Sequence, residues 1–577
     1  MSNSDQSNNS ALLYKVLLNG VELSEDTEII SIRIRKQFCK IPSAEVTFYY
    51  GNLSNSTFID ENDDKLDVGT EIEILATDDE LTLFKGIVVK KGISLSSRRS
   101  YLTLTAKNKA FKMTQSRMNH VFSEMKDSEI IEDLIGKYGI DCDVEATTYQ
   151  NESVTQYNCT DWDFVNMKAE ANGMLVLVGD EGIKVGNPTT GDAKLEINGY
   201  DSIIDFDAQL DGTTAYTEYK AKAWNYNTQE PQEVEQKNSS SDFSQGKQQT
   251  KDIAEKLESD AFNMNFNGSF VDEDVITAKL NATIMRNNLA RIIGKVKLYG
   301  VNEVSPGECV QFSGIGESFN GIAFATEATY EFKNGAWYTT IGFGLEDTSY
   351  YWTYDDINAA PASELLPAAH GLQMGKVVAL EGDPMDDFRI KVELPCFDGD
   401  NAEVWARLTC ADAGDKRGFY FVPEIGDEVV IGFVDQNPSN PIVLGTLHSN
   451  KMPAPQEHSD DNNVKGLYLK SGIKLEFNEE DKIVTLETPG GNSLHLNDKD
   501  GKIEIADSNG NQITLDNQGI TIKSAGKVAI EATQDMNLKG VNLTAEASAQ
   551  LKASGNAQAE VSSSGVMVVK GSLVQIN

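Results

Sequence analysis

From Gly519 to Asn577 apolar residues return at every second position, and this beat is itself repeated every eight residues. Ile520, Val528 and Met536 form one series, with Ile522, Ile530 and Leu538 running beside it. After a slip in phase, Leu543, Leu551, Ala559 and Met567 keep the same interval, accompanied by Ala545, Ala553, Val561 and Val569. A period of two places these residues on one face of a strand, while Thr521, Lys523, Lys527, Glu531, Lys539, Lys552 and Lys570 mostly fall on the other. Eight residues hold one short strand and a turn, too few to go round three sides of a single-chain β-helix. One copy would therefore leave its apolar face and its strand edges bare. Three copies winding round one axis cover both, so the repeat predicts a homotrimer whose C-terminal part is an intertwined trimeric β-helix, or β-prism. Its core is expected to be Ile520, Ile522, Val528, Ile530, Leu538, Leu543, Leu551, Val561, Met567 and Val569, and its tip Leu573, Val574, Gln575, Ile576 and Asn577.

A chain of 577 residues with 40% hydrophobic and 8% aromatic composition has room for three or four domains, each with a core. Residues 1–10 are polar and lack the basic and apolar regions of a signal peptide, and nowhere do eighteen apolar residues run together. The expectation is a protein made in the cytoplasm that leaves by a route without a cleaved leader. Six cysteines, Cys39, Cys142, Cys159, Cys309, Cys396 and Cys410, are far apart and read as reduced, scattered core residues. The formal charge of −39, concentrated in the first two thirds of the chain, repels nucleic acid and anionic headgroups, so neither is expected as a ligand.

Read in order, residues 12–113 alternate strands and turns: Leu12–Leu18, Ile29–Lys36, Ala44–Tyr50, Glu71–Ala76, Leu81–Val89 and Tyr101–Ala106, with Asn19-Gly20 as a hairpin turn. Helical faces follow at Asp127–Tyr138 and at Asp161–Ala171, the second capped by Thr160 or Asp161 and stopped by Asn172-Gly173 before a strand at Met174–Val178. Residues 228–250, rich in Gln, Ser, Asn and Lys, read as an exposed loop. Helix returns at Lys251–Phe262 and Asp274–Ile284, and Gly294–Phe343 is β again with a turn at Asn334-Gly335. Ala359–Pro367 reads as a linker. Five short strands (Gly375–Glu381, Phe388–Leu394, Val404–Cys410, Glu428–Phe433 and Pro441–Leu447) suggest a small barrel of the oligonucleotide/oligosaccharide-binding (OB) type. The fold class is mainly β with some α, and the domains are expected at 1–370, 371–450 and 464–577, with a linker at 451–463.

The barrel carries the most specific motifs. Trp405-Ala406-Arg407, Pro423, Gly426-Asp427-Glu428-Val429, Gly432-Phe433, Asn437-Pro438, Asn440-Pro441-Ile442 and Gly445 resemble the barrel of the VgrG family, the spike proteins of the bacterial type VI secretion system. The glycines supply turns, and each X-Pro keeps the preceding residue extended. Asp161-Trp162-Asp163-Phe164-Val165 and the run Gly294–Gly307 are similar to the family's hub, itself like the hub of contractile phage tails. The resemblance implies phage-hub-like β-barrel domains with helices over residues 1–370 that form a pseudo-sixfold ring docking on an Hcp-like tube hexamer, with the barrel as collar and the β-prism as needle. It further implies baseplate proteins as partners, a PAAR-like tip protein or effector at the needle's end, and secretion or delivery into a target cell from the bacterial cytoplasm. The short stretch 451–463 leaves no space for a lysozyme domain between barrel and needle, and the ending at Asn577 suggests a blunt tip.

Catalytic signatures are lacking: there is no H-E-x-x-H, G-x-S-x-G or P-loop. Ser313-Gly314-Ile315-Gly316 reads as a turn, and Asp386-Asp387, Asp460-Asp461 and Glu479-Glu480-Asp481 lack the spacing of a Ca²⁺ loop. His120, His370, His448, His458 and His495 are isolated, and exposed spacer is the expectation for them, so no cofactor and no metal is anticipated. A barrel that bound oligonucleotides would need basic grooves, and this one is acidic. The expected function is a non-enzymatic, homotrimeric puncturing spike. The alternatives are the hub-spike of a contractile phage tail or phage-like particle, or a spike-borne cell-wall hydrolase, which would need an acidic pair in a cleft.

Overall fold

The computed structural model describes residues 14–23, 27–54, 57–58, 64–76, 81–200, 203–238, 243–267, 271–398 and 402–576. Leu12 and Asn577 lie outside the described residues. The chain divides into two compact units, Met1–Leu372 with Gly432–Ile442, and Gln373–Ile431 with Val443–Asn577.

The first unit is built on one long sheet in the order Ile203–Leu210, Ile292–Tyr299, Ala336–Phe343, Gly321–Lys333, Ile29–Gln37, Ser43–Asn52, Ser100–Lys107, Leu81–Ser94, Glu71–Ala76, Tyr14–Leu18 and Val21–Glu22. The alternation of Ile29–Gln37 explains its place: Ile32 and Ile34 are fully buried while Arg33 and Arg35 are exposed. Antiparallel pairing of that strand with Gly321–Lys333, Ile34 opposite Tyr330, joins the start of the chain to a segment about three hundred residues later. Short-range signals hold where they are strongest. Asn19 and Gly20 both take positive φ in the turn pairing Leu18 with Val21, and Asn334-Gly335 does the same between Lys333 and Ala336.

Helices Asp127–Gly136 and Asp161–Ala171 pack into a second core through Ile130, Ile131, Leu134, Phe164 and Val165. Thr160 caps the latter by accepting from the Asp163 amide at 3.1 Å, and Gly173 leaves it at φ +77°. A third core gathers Val296, Phe312, Ile341 and Phe343, with the Phe312 ring 4.9 Å from Phe343 and 5.5 Å from Phe206.

Several expectations need correction. Residues 228–250 are not wholly an exposed loop: Glu230–Lys237 is a strand that pairs along its whole length with Glu218–Asn225 and Gln245 is buried, whereas 243–249 is irregular and 239–242 lies outside the described residues. The strand was hidden because its exposed face is charged, with Lys220–Glu235 at 2.8 Å and Lys222–Glu233 at 2.6 Å across the rungs, leaving Val234 to carry the buried face. The helix expected at Lys251–Phe262 is Thr250–Leu257; Glu258 turns left-handed and Phe262–Phe266 becomes a strand parallel to Glu218–Asn225. The helix expected at Asp274–Ile284 runs from Glu273 to Ala290, capped by Asp272. Within Ala359–Pro367, Ala362, Ser363 and Glu364 form a left-handed turn in which Ala362 is completely buried. Cys396 and Cys410 are exposed rather than in a core. Among the described residues, no helix is long and apolar enough to cross a membrane.

Phe312→Ala should destabilise the first unit by about 3–5 kcal/mol through the cavity left between Phe206 and Phe343. A lower urea midpoint of the full chain's corresponding transition, with the C-terminal transition unmoved, is the expected result.

Candidate functional site: the C-terminal assembly surface

Barrel strands Gln373–Ala379, Ile390–Glu393, Glu403–Leu408, Glu428–Phe433 and Pro441–Thr446 close in the order 1-2-3-5-4, the OB topology. Val377, Val392, Ala406, Val429, Ile431 and Val443 fill the interior with no exposure. Asp383 ties the first two strands together, accepting from the amides of Met385, Asp387 and Arg389 and from the Arg389 guanidinium. That guanidinium, with the three amides, holds the Asp383 carboxyl well below the usual carboxylate range.

The barrel's signature residues divide by role. Pro423 and Pro441 are buried. Gly426 takes φ +100° while its amide reaches the Val377 carbonyl at 2.8 Å. Asn437 accepts from the Ser439 amide at 2.9 Å, and its carbonyl accepts from Asn440, closing the turn that holds Pro438. Trp405 is half-buried with Lys391 Nζ 6.0 Å from its ring centroid, Gly432 and Gly445 are half-buried, and Arg407 is exposed.

After Val464 the chain becomes a seven-stranded antiparallel meander, Val464–Tyr468, Lys474–Asn478, Ile483–Glu487, Ser493–Asn497, Lys502–Ala506, Gln512–Asp516 and Gly519–Lys523. Its register lays two apolar rows across one face. Leu467, Leu475, Leu486, Leu494, Ile505, Ile513 and Ile522 form the first row. Phe477, Val484, Leu496, Ile503, Leu515 and Ile520 form the second. The other face is polar, running Glu476, Thr485, His495, Glu504, Thr514 and Thr521 from strand to strand. His495 is thus a half-buried strand residue 3.2 Å from the Thr485 hydroxyl, not exposed spacer. The turns are fixed by Asx geometry. Asp507 accepts from the amides of Asn509 and Asn511 and from both their carboxamides, which lowers its carboxyl to about 2, Asn511 contributing most.

The apolar rows have no cover. Leu486 is 43% exposed, Ile505 48% and Ile520 70%. From Ser524 to Ile576 the described residues form no strand and no helix. The anticipated core residues of this stretch stand in the open, with Ile530 69%, Leu551 70% and Val561 83% exposed; Val528, Leu538, Leu543, Met567 and Val569 are exposed too, as are Leu573, Val574, Gln575 and Ile576. Each such Ile, Leu or Val contributes about 1.5–3 kcal/mol on full burial, and an extended backbone without a neighbour leaves its ladder groups unpaired. Sequence reasoning finds strand pairs from near Val464, turned at Asp500-Gly501, Asn509-Gly510 and Gln518-Gly519, which the meander matches, but the core was placed only from Ile520 onward and not in the rows that begin at Leu467. Their signal is a nineteen-residue hairpin period, Leu475 to Leu494 to Ile513 and Leu486 to Ile505, which an eight-residue template does not match.

Comparison with known proteins agrees with this architecture. A family model described as the Alg8 N-terminal domain matches residues 8–334. The type VI secretion system/phage-baseplate injector OB domain matches 373–448, and the phage baseplate V C-terminal trimerisation domain matches 482–577. The chain belongs to the Alg8 N-terminal domain family, and its barrel and C-terminal segment are those of a VgrG-type spike protein. Similar curated proteins are the type VI secretion system spike proteins VgrG1a and VgrG1b of Pseudomonas aeruginosa. VgrG1a is 29% identical over 159 residues, 24% of this chain and 25% of that protein. VgrG1b is 31% identical over 130 residues, 20% of this chain and 18% of that protein. The chain thus matches a quarter or less of the length of these relatives. Among solved structures, the Escherichia coli c3393 protein, a type VI secretion component, is similar with a TM-score of 0.40 at 14% identity, over 75% of this chain and 100% of that one. The 43 kDa tail protein of prophage MuSo2 from Shewanella oneidensis is similar with a TM-score of 0.46 at 8% identity, over 58% and 98%.

The Asp507 turn sets a pH expectation. Its carboxyl lies below its ordinary 3.8, so the turn's contribution is complete above that value and is lost as pH falls towards about 2. Amide exchange at Asn509 and Asn511, corrected for intrinsic rates, should accelerate across that window and be flat above about pH 5.

Proposed function

We propose that three copies of this chain intertwine into a membrane-puncturing spike at the tip of a type VI secretion tube. The observation that carries this reading is the stretch 524–576: regularly apolar, exposed, without strand or helix among the described residues, and similar over 482–577 to a trimerisation domain. In the trimer each strand pairs with its neighbours and the apolar series is sealed on the axis, so the needle resists bending and unravelling as it is driven forward. The hub, residues 1–370, docks on an Hcp-like hexamer and on baseplate proteins, and the 371–450 barrel is the collar. The segment Leu573–Asn577 receives a PAAR-like tip protein or an effector. The work is mechanical and non-enzymatic, begins in the bacterial cytoplasm, and ends outside it or in the target cell. The matched barrel and trimerisation descriptions name phage baseplates as well, which supports a second reading, the hub-spike of a phage-like contractile particle.

Light scattering of the purified chain should give three times 63.2 kDa; a stable monomer would sink the reading. Ile530→Asp places three carboxylates at one level of a dry axis, at a cost of several kcal/mol for each unpaired charge, and should dissociate or strongly destabilise the trimer. Co-assembly with an Hcp-like tube protein, against a phage tail-tube protein as the rival partner, separates the two settings.

A further inference from the structure

The outward face of the first unit's long sheet carries an ordered series of charges. On the edge strand Ile203–Leu210, Asp205 and Asp207 stand opposite Lys297 and Lys295 of the next strand. Those lysines reach the other way, Lys295 to Glu327 at 3.3 Å and Lys297 to Glu331 at 3.8 Å. Lys297 also lies 4.8 Å from the Tyr338 ring centroid. Beyond them Arg33 is opposite Glu331 and Arg35 opposite Thr329. The register keeps all of these residues on one face.

The consequence is a face with unspent charge of opposite sign at two places. Asp205 and Asp207 are exposed at the sheet edge and form no ion pair within 4 Å among the described residues; neither do Arg33 and Arg35. Arg33 and Arg35 border a cavity of about 620 Å³ of mixed charge, lined also by Lys40, Arg286 and Lys295 and by Glu170, Glu327 and Glu346. Among the described residues the acidic strand pairs with one neighbour, and it is eight residues long. In a chain of net charge −39, like copies repel, and two exposed arginines that form no ion pair within 4 Å among the described residues offer a specific place for a neighbour's carboxylates.

We propose that the acidic edge strand of one copy, through Asp205 and Asp207, seats against the Arg33 and Arg35 face of the next. A patch that meets a different patch on an identical chain makes a head-to-tail contact, and such contacts close into a ring when the rotation permits. Three repeats of this contact close the hub around the axis that the needle sets. The occupant is a second copy of this chain, and the inference rests on the trimeric reading above.

The test uses the full chain in four forms: wild type, Arg33→Glu/Arg35→Glu, Asp205→Lys/Asp207→Lys, and the variant with all four changes. Light scattering reports the trimer, and exchange of those amides in 203–210 that are not bonded to Ile292–Leu298 of the same chain reports the contact. Wild type should be trimeric, with those amides protected at low salt and at least about tenfold less so in roughly 1 M salt, where exposed charges are screened. Each double reversal should lose that protection to a similar degree, and the four-fold variant should regain it. Within one chain the four changes only add repulsion, setting new positive charge opposite Lys297 and new negative charge opposite Glu331, so recovery has no intrachain explanation. Arg33→Gln/Arg35→Gln guards against misfolding and should lose protection while the Ile32 and Ile34 amides stay slow. A monomeric wild type overturns the trimeric reading itself. A trimer in which those amides of 203–210 exchange freely, or in which reversal changes nothing or the four-fold variant fails to recover, overturns only the head-to-tail contact.

Discussion

The structure depends on unmet pairing. A strand is stable when its backbone groups have a ladder and its apolar face has a cover, and the C-terminal part of this chain supplies each only in part. From Val464 to Lys523 the meander satisfies its own backbone strand by strand, yet its two apolar rows remain bare. From Ser524 onward neither need is met within one chain. A single copy thus grades from a self-paired meander to a stretch with no strand of its own.

The meander is anchored by turns such as Asp507–Asn511, where one carboxylate receives four hydrogen bonds, so it is a preformed panel within a single chain. Beyond it, each eight-residue unit is too short to fold back on itself as a hairpin.

Legibility followed the range of the interaction that decides each element. Asn19-Gly20, Asn334-Gly335 and the Thr160 cap are settled within four residues, and all three were readable. The barrel strands were placed to within a few residues because its Gly and Pro positions mark the turns on either side of Glu428–Phe433. Glu230–Lys237 was not readable, since its pairing depends on lysines in Glu218–Asn225 that neutralise its glutamates. The left-handed turn at 362–364 was likewise hidden: proline and alanine read as spacer until Ala362 is seen to be buried.

By itself the sequence determined the mainly β class, the small barrel and the apolar period of the C-terminal stretch, because periodicity and turn chemistry are local properties that survive without knowledge of neighbours. Only the tertiary structure decided two other matters. It joined Ile29–Gln37 to Gly321–Lys333 in one sheet, and it put Asp205, Asp207, Arg33 and Arg35 on a single face. Each of these rests on strand register between distant segments. A one-residue slip would move every side chain to the opposite face, and nothing local in the sequence fixes that choice.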